Sequence, residues 1–258
     1  MESRTLQLVL EYDGTRFAGW QRQPDERTVQ GVVEEALERL CGRHITVLGA
    51  GRTDAGVHAL GQAAGIRVPE KWSPSEMRRA LNAVLPGDVW ISATYPMSPA
   101  FHARFSAVSR AYRYLVGTDE EAGNPFRHGR ELAWRKPLNR QLLDEAAHLI
   151  VGDNCFRGFA VKGTAPETDN HRCNVFEAVW LDREGGLAFL VKANRFLHHM
   201  VRFLVGTMLD VASGCRAISD IPKLLQAGDN CGVSPPVPPH GLYLEKVEYP
   251  DELYLVDA

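Results

Sequence analysis

The chain has 258 residues, of which 45% are hydrophobic and 24% are charged, and its formal net charge is −3. This composition is ordinary for a globular protein, and the length suits one large domain or two smaller ones. The N-terminal residues lack the pattern of a signal peptide, and no apolar run approaches the ~18 residues of a membrane span. Five cysteines without a CxxC pair argue against a disulfide framework or a cysteine-rich zinc site, so we expect a reducing, cytoplasmic compartment.

The basic residues are mostly arginines, since only six of the 29 are lysines. Arginine suits bidentate contacts to phosphate and stacking on bases. A GC-rich genome or a heat-adapted host is the simpler explanation of this bias, and the negative net charge gives no support to a nucleic-acid partner. Composition by itself therefore does not point to RNA.

The first half of the chain predicts the order β-α-β-β-α-β. The stretch VQGVVEEALERLC is typical of a helix with one apolar face, with Thr28 as its N-cap and Gly42 just beyond its end. Ser73 and Glu76 form a predicted capping box that opens a second helix. The predicted strands are residues 6–12, 45–50, 62–68 and 89–95.

The second half predicts the same order, so the chain is interpreted as a topological duplication. The predicted helices are 142–150, 196–212 and a short one at 219–227, and the predicted strands are 105–116, 175–181, 187–193 and 242–249. Two βαββαβ units predict an α+β fold of two ferredoxin-like halves, residues 1–103 and 104–258. We expect their sheets to join into one continuous mixed or antiparallel sheet with a central cleft.

The stretch GAGRTDAGVHA at residues 49–59 places Asp54 among glycines and alanines. Small residues let a ligand approach the backbone closely. Arg52 lies two residues earlier, so in an extended segment it projects to the same side and keeps the carboxylate ionised as a base or nucleophile. The alternative is a turn in which Asp54 caps a short helix. A phosphate loop is less favoured because the GxxxxGK[ST] pattern is missing.

A strand over residues 106–116 would place Arg110, Tyr112 and Tyr114 on one face, because side chains alternate along a strand. Two aromatic rings and a guanidinium suit base stacking and phosphate contact. The alternative is a pair of tyrosines packed under a helix with their hydroxyl groups pointing outward.

The stretch KANRFLHHMVR at residues 192–202 is predicted to open a helix on which His198, His199 and Arg202 share a face. A metal site is disfavoured because adjacent histidines on a helix point in different directions and no HExxH spacing is present. The alternative for Arg202 is a buried charge that needs a carboxylate partner, for which Asp54 is a candidate.

Four stretches in this order, GRTDAGVHA, FHARFSAVSRAYRY, KANRFLHHMVR and GLYLEKVEYP, resemble the tRNA pseudouridine synthase A family. The resemblance implies the pseudouridine synthase fold, with two ferredoxin-like halves around a basic cleft. It implies an isomerase that converts uridines 38 to 40 of the tRNA anticodon stem-loop to pseudouridine. It also implies a homodimer whose subunits share one tRNA, without a metal ion or an organic cofactor.

The resemblance also assigns roles to individual residues. Asp54 is implied to be the catalytic carboxylate, and Arg52 and Arg202 are implied to pair with it. Tyr112 is implied to stack on the target base, and Leu242 to line the pocket.

Other residues are implied neighbours of the RNA or of the core, among them His58, Arg110 and the segment 101–104. The segment 159–173 departs from the family pattern because it is richer in glycine, proline and acidic residues. To bind a polyanion at negative net charge, we expect a stripe of arginines along the cleft, with acids such as Glu34 on the helix side. This stripe would contain Arg16, Arg22, Arg52, Arg104, Arg110 and Arg202.

Two other classes of function were weighed from the residues. A non-catalytic RNA-binding protein on an RRM-like sheet would need the aromatic RNP1 pattern, which the sequence lacks. A hydrolase or phosphotransferase with Asp54 as nucleophile would normally need magnesium, and no acidic cluster lies near Asp54 in the sequence. Isomerisation of a uridine that has left its stack therefore fits best.

Overall fold

The structure is a computed structural model that describes residues 3–164 and 168–255. Internal contacts divide the chain into two compact units, residues 1–108 together with 243–258, and residues 109–242. Each unit combines helices with strands, which confirms the predicted α+β class. None of the helices in the described ranges is both long and apolar enough to cross a membrane.

The first unit is built on a sheet with the strand order β4-β1-β3-β10, to which β2 adds by pairing with β3. Its strands are β1 (Ser3–Tyr12), β2 (Leu48–Gly49), β3 (His58–Pro69), β4 (Val89–Met97) and most of β10 (Leu242–Glu248), and its helices are α1 (Val29–Cys41) and α2 (Pro74–Val84). β1 is antiparallel to β3 and β4, whereas β10 runs parallel to β3 with Tyr243 opposite His58. This parallel pairing brings the last strand into the first unit.

The predicted helix caps of the first unit are confirmed. The Thr28 side chain accepts a hydrogen bond from the Gly31 N–H, and Gly42 ends α1 in the left-handed conformation with φ 68°. Ser73 and Glu76 form the capping box of α2. These contacts satisfy backbone groups within the same few residues. The helix bounds therefore follow from local sequence.

The second unit is built on the strand order β5-β9-β8-β7, with β6 parallel to β5 and the other pairs antiparallel. Its strands are β5 (Ser109–Gly117), β6 (Leu132–Ala133), β7 (Gly152–Cys155), β8 (Arg172–Arg183) and β9 (Gly186–Ala193), and its helices are α3 (Arg140–His148), α4 (Met200–Ala212) and α5 (Asp220–Leu225). The predicted β8–β9 hairpin is confirmed, with Gly185 in its turn at φ 72°.

The predicted strand at 105–116 starts later than expected, because residues 102–106 form a turn. The His102 imidazole accepts hydrogen bonds from the Arg104 and Phe105 N–H groups, and the Ser106 N–H donates to the His102 carbonyl. Local hydrogen bonds of this kind compete with strand pairing. β5 accordingly begins at Ser109.

Candidate active site

Asp54 lies between β2 and β3 on a segment whose backbone is held on both sides. The Trp20 N–H donates to the Thr53 carbonyl at 3.0 Å, and the Val57 N–H donates to the Asp54 carbonyl at 3.2 Å. Residues 54–57 form a turn that leads directly into β3, and not the first turn of a helix. Asp54 is half-buried. Its carboxylate therefore stands on a well-anchored backbone.

Several glycines allow neighbouring backbone segments to pack closely against this loop. A Cβ on Gly14 would lie 2.0 Å from the Val57 carbonyl oxygen, and a Cβ on Gly19, at φ 99°, would lie 2.8 Å from the Thr53 oxygen. Inside the loop, a Cβ on Gly49 would meet the Trp20 ring at 2.5 Å, whereas a Cβ on Gly51 would meet nothing within 4 Å. The small residues of the motif thus serve close packing as well as ligand access.

Arg52 is exposed to solvent. Across residues 3–164 and 168–255 it forms no ion pair with Asp54 or with another carboxylate. The pairing of Arg52 with Asp54 therefore stays a prediction, to be tested with RNA present.

His58 lies in the interior of the first unit, with 3% of its surface exposed. Its Nδ1 accepts a hydrogen bond from the Gly14 N–H at 3.0 Å, and the Asp13 carboxylate lies 3.3 Å away. Its ring stacks on Tyr243 with centroids 4.7 Å apart. These contacts hold the start of β3, next to the Asp54 loop. A contact of His58 with the substrate stays a prediction.

The second unit separates the two tyrosines of β5. Tyr114 is fully buried and its hydroxyl donates to the Pro238 carbonyl at 2.8 Å, and this burial raises the pKa of the phenol. Tyr112 is half-buried and its ring packs edge-on against Phe196 with centroids 5.0 Å apart. Tyr114 is therefore a packed tyrosine, as in the alternative interpretation of this strand. Part of the Tyr112 side chain remains accessible. Arg110 donates to the Asn194 carbonyl at 3.0 Å.

The prediction that His198, His199 and Arg202 share a helical face is wrong, because α4 begins only at Met200. His199 adopts the left-handed conformation with φ 61° immediately before the helix. Such a conformation costs a β-carbon residue roughly 1–3 kcal/mol and persists only where the surroundings hold it. Both histidines therefore lie on a turn whose path helical periodicity does not predict.

Arg202 lies in the first turn of α4 and is fastened to the loop before β10. Its Nε donates to the Val237 carbonyl at 2.8 Å, and the Val237 N–H donates back to the Arg202 carbonyl at 3.2 Å. Leu242 follows this loop and is 6% exposed. The proline-rich loop thus positions both residues within the second unit.

Two arginines of the expected stripe are paired with acids. Arg22 contacts Glu34 at 3.2 Å, and Arg16 contacts Asp88 at 3.2 Å. Glu34 is buried and also accepts a hydrogen bond from the Val47 N–H. Glu34 thus lies on α1 and contacts one of the arginines expected in the stripe.

The predicted site residues divide between the two units. Asp54, Arg52 and His58 belong to the first unit, and Tyr112, Arg110, Arg202 and Leu242 belong to the second. Gly14, Gly19 and Phe196 also support the site and were not predicted from the sequence. The stretch YDGTRFAGWQ carries a usable signal for the two glycines, because they alternate there with aromatic residues. Part of the atypical segment 159–173, residues 165–167, lies outside the described residues.

The chain matches the family model described as tRNA pseudouridine synthase over residues 8–106 and 146–250. The tRNA pseudouridine synthase A of Dictyoglomus thermophilum is 40% identical over 246 residues, which cover 94% of this chain and 98% of the relative. That of Geobacillus sp. (strain WCH70) is 39% identical over 248 residues, which cover 96% and 99%. That of Azobacteroides pseudotrichonymphae is 35% identical over 247 residues, which cover 96% and 97%.

The chain therefore belongs to the tRNA pseudouridine synthase family. Its α+β arrangement is consistent with the pseudouridine synthase fold, and its activity is the isomerisation of uridine to pseudouridine with tRNA as substrate.

Proposed function

We propose that the protein acts on uridines 38 to 40 of the tRNA anticodon stem-loop, with Asp54 as the catalytic carboxylate on an everted base. The target positions rest on the family resemblance. The observation that carries the role of Asp54 is its setting, a partly exposed carboxylate on a loop held by backbone hydrogen bonds. A reacting group is most effective when its support keeps it in one orientation.

The reaction is an isomerisation that balances without an outside reagent. The bond between N1 of uracil and the sugar breaks, the base turns, and a bond from C5 to the same sugar carbon forms, while a proton leaves C5 and another is gained at N1. A carboxylate can attack the sugar or the base, or stabilise the cationic sugar as the base leaves. In this proposal Asp54 performs one of these roles, and no metal ion or cofactor is required.

Tyr112 and Leu242 receive the uracil in this proposal. Removing a base from its stack costs a few kcal/mol, and stacking on an aromatic side chain returns about 1–3 kcal/mol per base. The partial exposure of Tyr112 supports this role, because the fully buried Tyr114 on the same strand face is unsuited to it. Arg110 and His58 are proposed to lie beside the bound RNA.

Arg52 and Arg202 are proposed to pair with the ionised Asp54 once tRNA excludes water. Charge pairs strengthen as the surroundings dry, and dryness also prevents hydrolysis of the sugar–base bond. The exposure of Arg52 supports a pairing that forms only when bound tRNA excludes water, and the two bonds between Arg202 and Val237 support a fixed position for the second cation. A homodimer that shares one tRNA is part of the proposal and rests on the family resemblance.

The test is to map pseudouridine, nucleotide by nucleotide, in an unmodified tRNA transcript after incubation with purified protein. The tRNA is folded first, and the reaction is run in monovalent salt with excess chelator. We expect product at positions 38 to 40. Product only at other uridines would refute the proposed target, and activity that chelator abolishes and added metal restores would refute the metal-free mechanism.

A further inference from the structure

Residues 194–199 join β9 to α4, and we call them the connecting segment. On one side they contact β5, where Arg110 donates to the Asn194 carbonyl at 3.0 Å. There the Phe196 and Tyr112 rings also pack edge to face, with their centroids 5.0 Å apart. Movement of the connecting segment would therefore displace the aromatic ring against which Tyr112 rests.

On its other side the connecting segment is held by Asp169, in the atypical segment 159–173. Arg195 makes a two-point contact with this carboxylate, at 2.5 Å from Nη2 to Oδ2 and 3.4 Å from Nη1 to Oδ1. The Asp169 side chain is only 11% exposed, and the His171 N–H also donates to its Oδ1 at 2.7 Å. The hydrogen bond from Arg195 lowers the pKa of Asp169, so the pair is charged at neutral pH.

Two backbone contacts complete the attachment. The Val161 N–H donates to the His198 carbonyl at 3.2 Å, and the Asn194 N–H donates to the Asn174 carbonyl at 3.1 Å. The connecting segment ends in the left-handed His199, a conformation that its own residues do not favour. Contacts from outside must therefore hold its path, and the ion pair between Asp169 and Arg195 is one of them.

We propose that Asp169 is a positioning residue for the pseudouridine synthase reaction. Through Arg195 it fixes the connecting segment, and thereby holds Phe196 and the Tyr112 ring in the orientation that receives the everted uracil. This inference rests on the proposed function, in which Tyr112 stacks on the target base. Asp169 of the atypical segment then supplies a support for the site and not a contact to RNA.

The kinetic test compares Asp169→Asn, which keeps the side-chain size and removes the charge, with wild type. Misplacement of a ring that positions the substrate loses rate steeply, so we expect kcat on tRNA to fall about tenfold while KM changes less than about twofold. Asp169→Glu should restore most of the lost kcat. The matched control is Asp153→Asn, because that carboxylate pairs with Arg172 on the neighbouring strands, and its kcat is expected to stay within about twofold of wild type.

A second measurement follows the Tyr112 ring without tRNA. The protein is labelled with 3-fluorotyrosine, and the Tyr112 resonance is assigned by its loss in Tyr112→Phe. We expect this ¹⁹F resonance to shift or broaden in Asp169→Asn and to stay in place in Asp153→Asn. This readout measures no product, so it tests the positioning role of Asp169 even if wild-type protein leaves uridines 38 to 40 unmodified. Unmodified uridines would refute only the proposed function.

Two outcomes overturn the inference. One is a folded Asp169→Asn protein whose Tyr112 resonance matches that of wild type. The other is a rise in KM at unchanged kcat, which would indicate that Asp169 acts on tRNA binding. If Asp169→Asn unfolds at the assay temperature, Arg195→Lys takes its place, because lysine keeps the charge but loses the two-point contact.

Discussion

In the first unit, the loop that carries Asp54 is held by backbone hydrogen bonds and by glycines that admit neighbouring segments. In the second unit, the connecting segment is held largely by side chains, among them Arg195 with Asp169 and Phe196 with Tyr112. A loop held by its backbone tolerates changes of charge but not added volume at the glycines where neighbouring segments meet it. A segment held by side chains is more sensitive to changes of charge and less sensitive to added volume. The following variants test this difference.

The largest effect is expected from Asp54→Asn. On a loop held by backbone groups this change leaves the backbone support intact, so the variant should remain folded. Removal of the reacting carboxylate should lower turnover by a factor on the order of 10⁴ or more. Pseudouridine formation and tRNA binding are measured in parallel, with Glu35→Gln on the exposed face of α1 as the control. Turnover near wild type would refute the assignment of Asp54.

A large loss of stability is expected from Gly14→Ala. The added Cβ would lie 2.0 Å from the Val57 carbonyl oxygen, so the backbone behind the Asp54 loop has to move. Overpacking of this kind costs about 1–3 kcal/mol or more in free energy of unfolding. Gly51→Ala is the matched control, since its Cβ would meet nothing within 4 Å. Equal denaturant midpoints for the two variants would contradict the idea that close backbone packing holds the loop.

Tyr114→Phe tests the role of side-chain hydrogen bonds in the second unit. The change removes the donor to the Pro238 carbonyl and should cost about 1 kcal/mol of unfolding free energy. Tyr112→Phe should cost less, because water can replace lost partners at a half-buried position. Chemical denaturation of both variants gives the comparison. A larger loss of stability in Tyr112→Phe would reverse the roles assigned to the two rings.

The smallest effect is expected from acid on the Asp169–Arg195 pair. Arg195 lowers the folded-state pKa of Asp169 below the unfolded value of about 3.9. A lowered pKa stabilises the fold above the unfolded value, and this contribution is lost as the pH falls through the folded value. The stability difference between wild type and Asp169→Asn should therefore be steady at neutral pH and shrink below about pH 4. Urea titrations at a series of pH values measure this difference in stability. A difference that grows as the pH falls would contradict a stabilising ion pair between Asp169 and Arg195.

Much of the candidate site could be predicted from motifs, because residue types and spacing are local properties. The small-residue setting of Asp54 and the shared strand face of Tyr112 and Tyr114 are both visible in the sequence. Which tyrosine is buried is not visible, because it depends on Pro238, more than a hundred residues away. The partner of Glu34 was likewise missed, since Arg22 meets it from a separate loop.

The sequence by itself determined most of the long helices and strands, the caps at Thr28, Gly42 and Ser73, and the family, but not the short strands β6 and β7. Hydrogen bonds within a few residues and side-chain periodicity set the elements that it did determine. Only the tertiary structure decided that β10 pairs with β3, and that α4 begins after a left-handed His199. Strand pairing and a strained turn are stabilised by segments far apart in the chain. The free energy of this pairing and of this turn therefore depends on tertiary packing, which no local sequence pattern encodes.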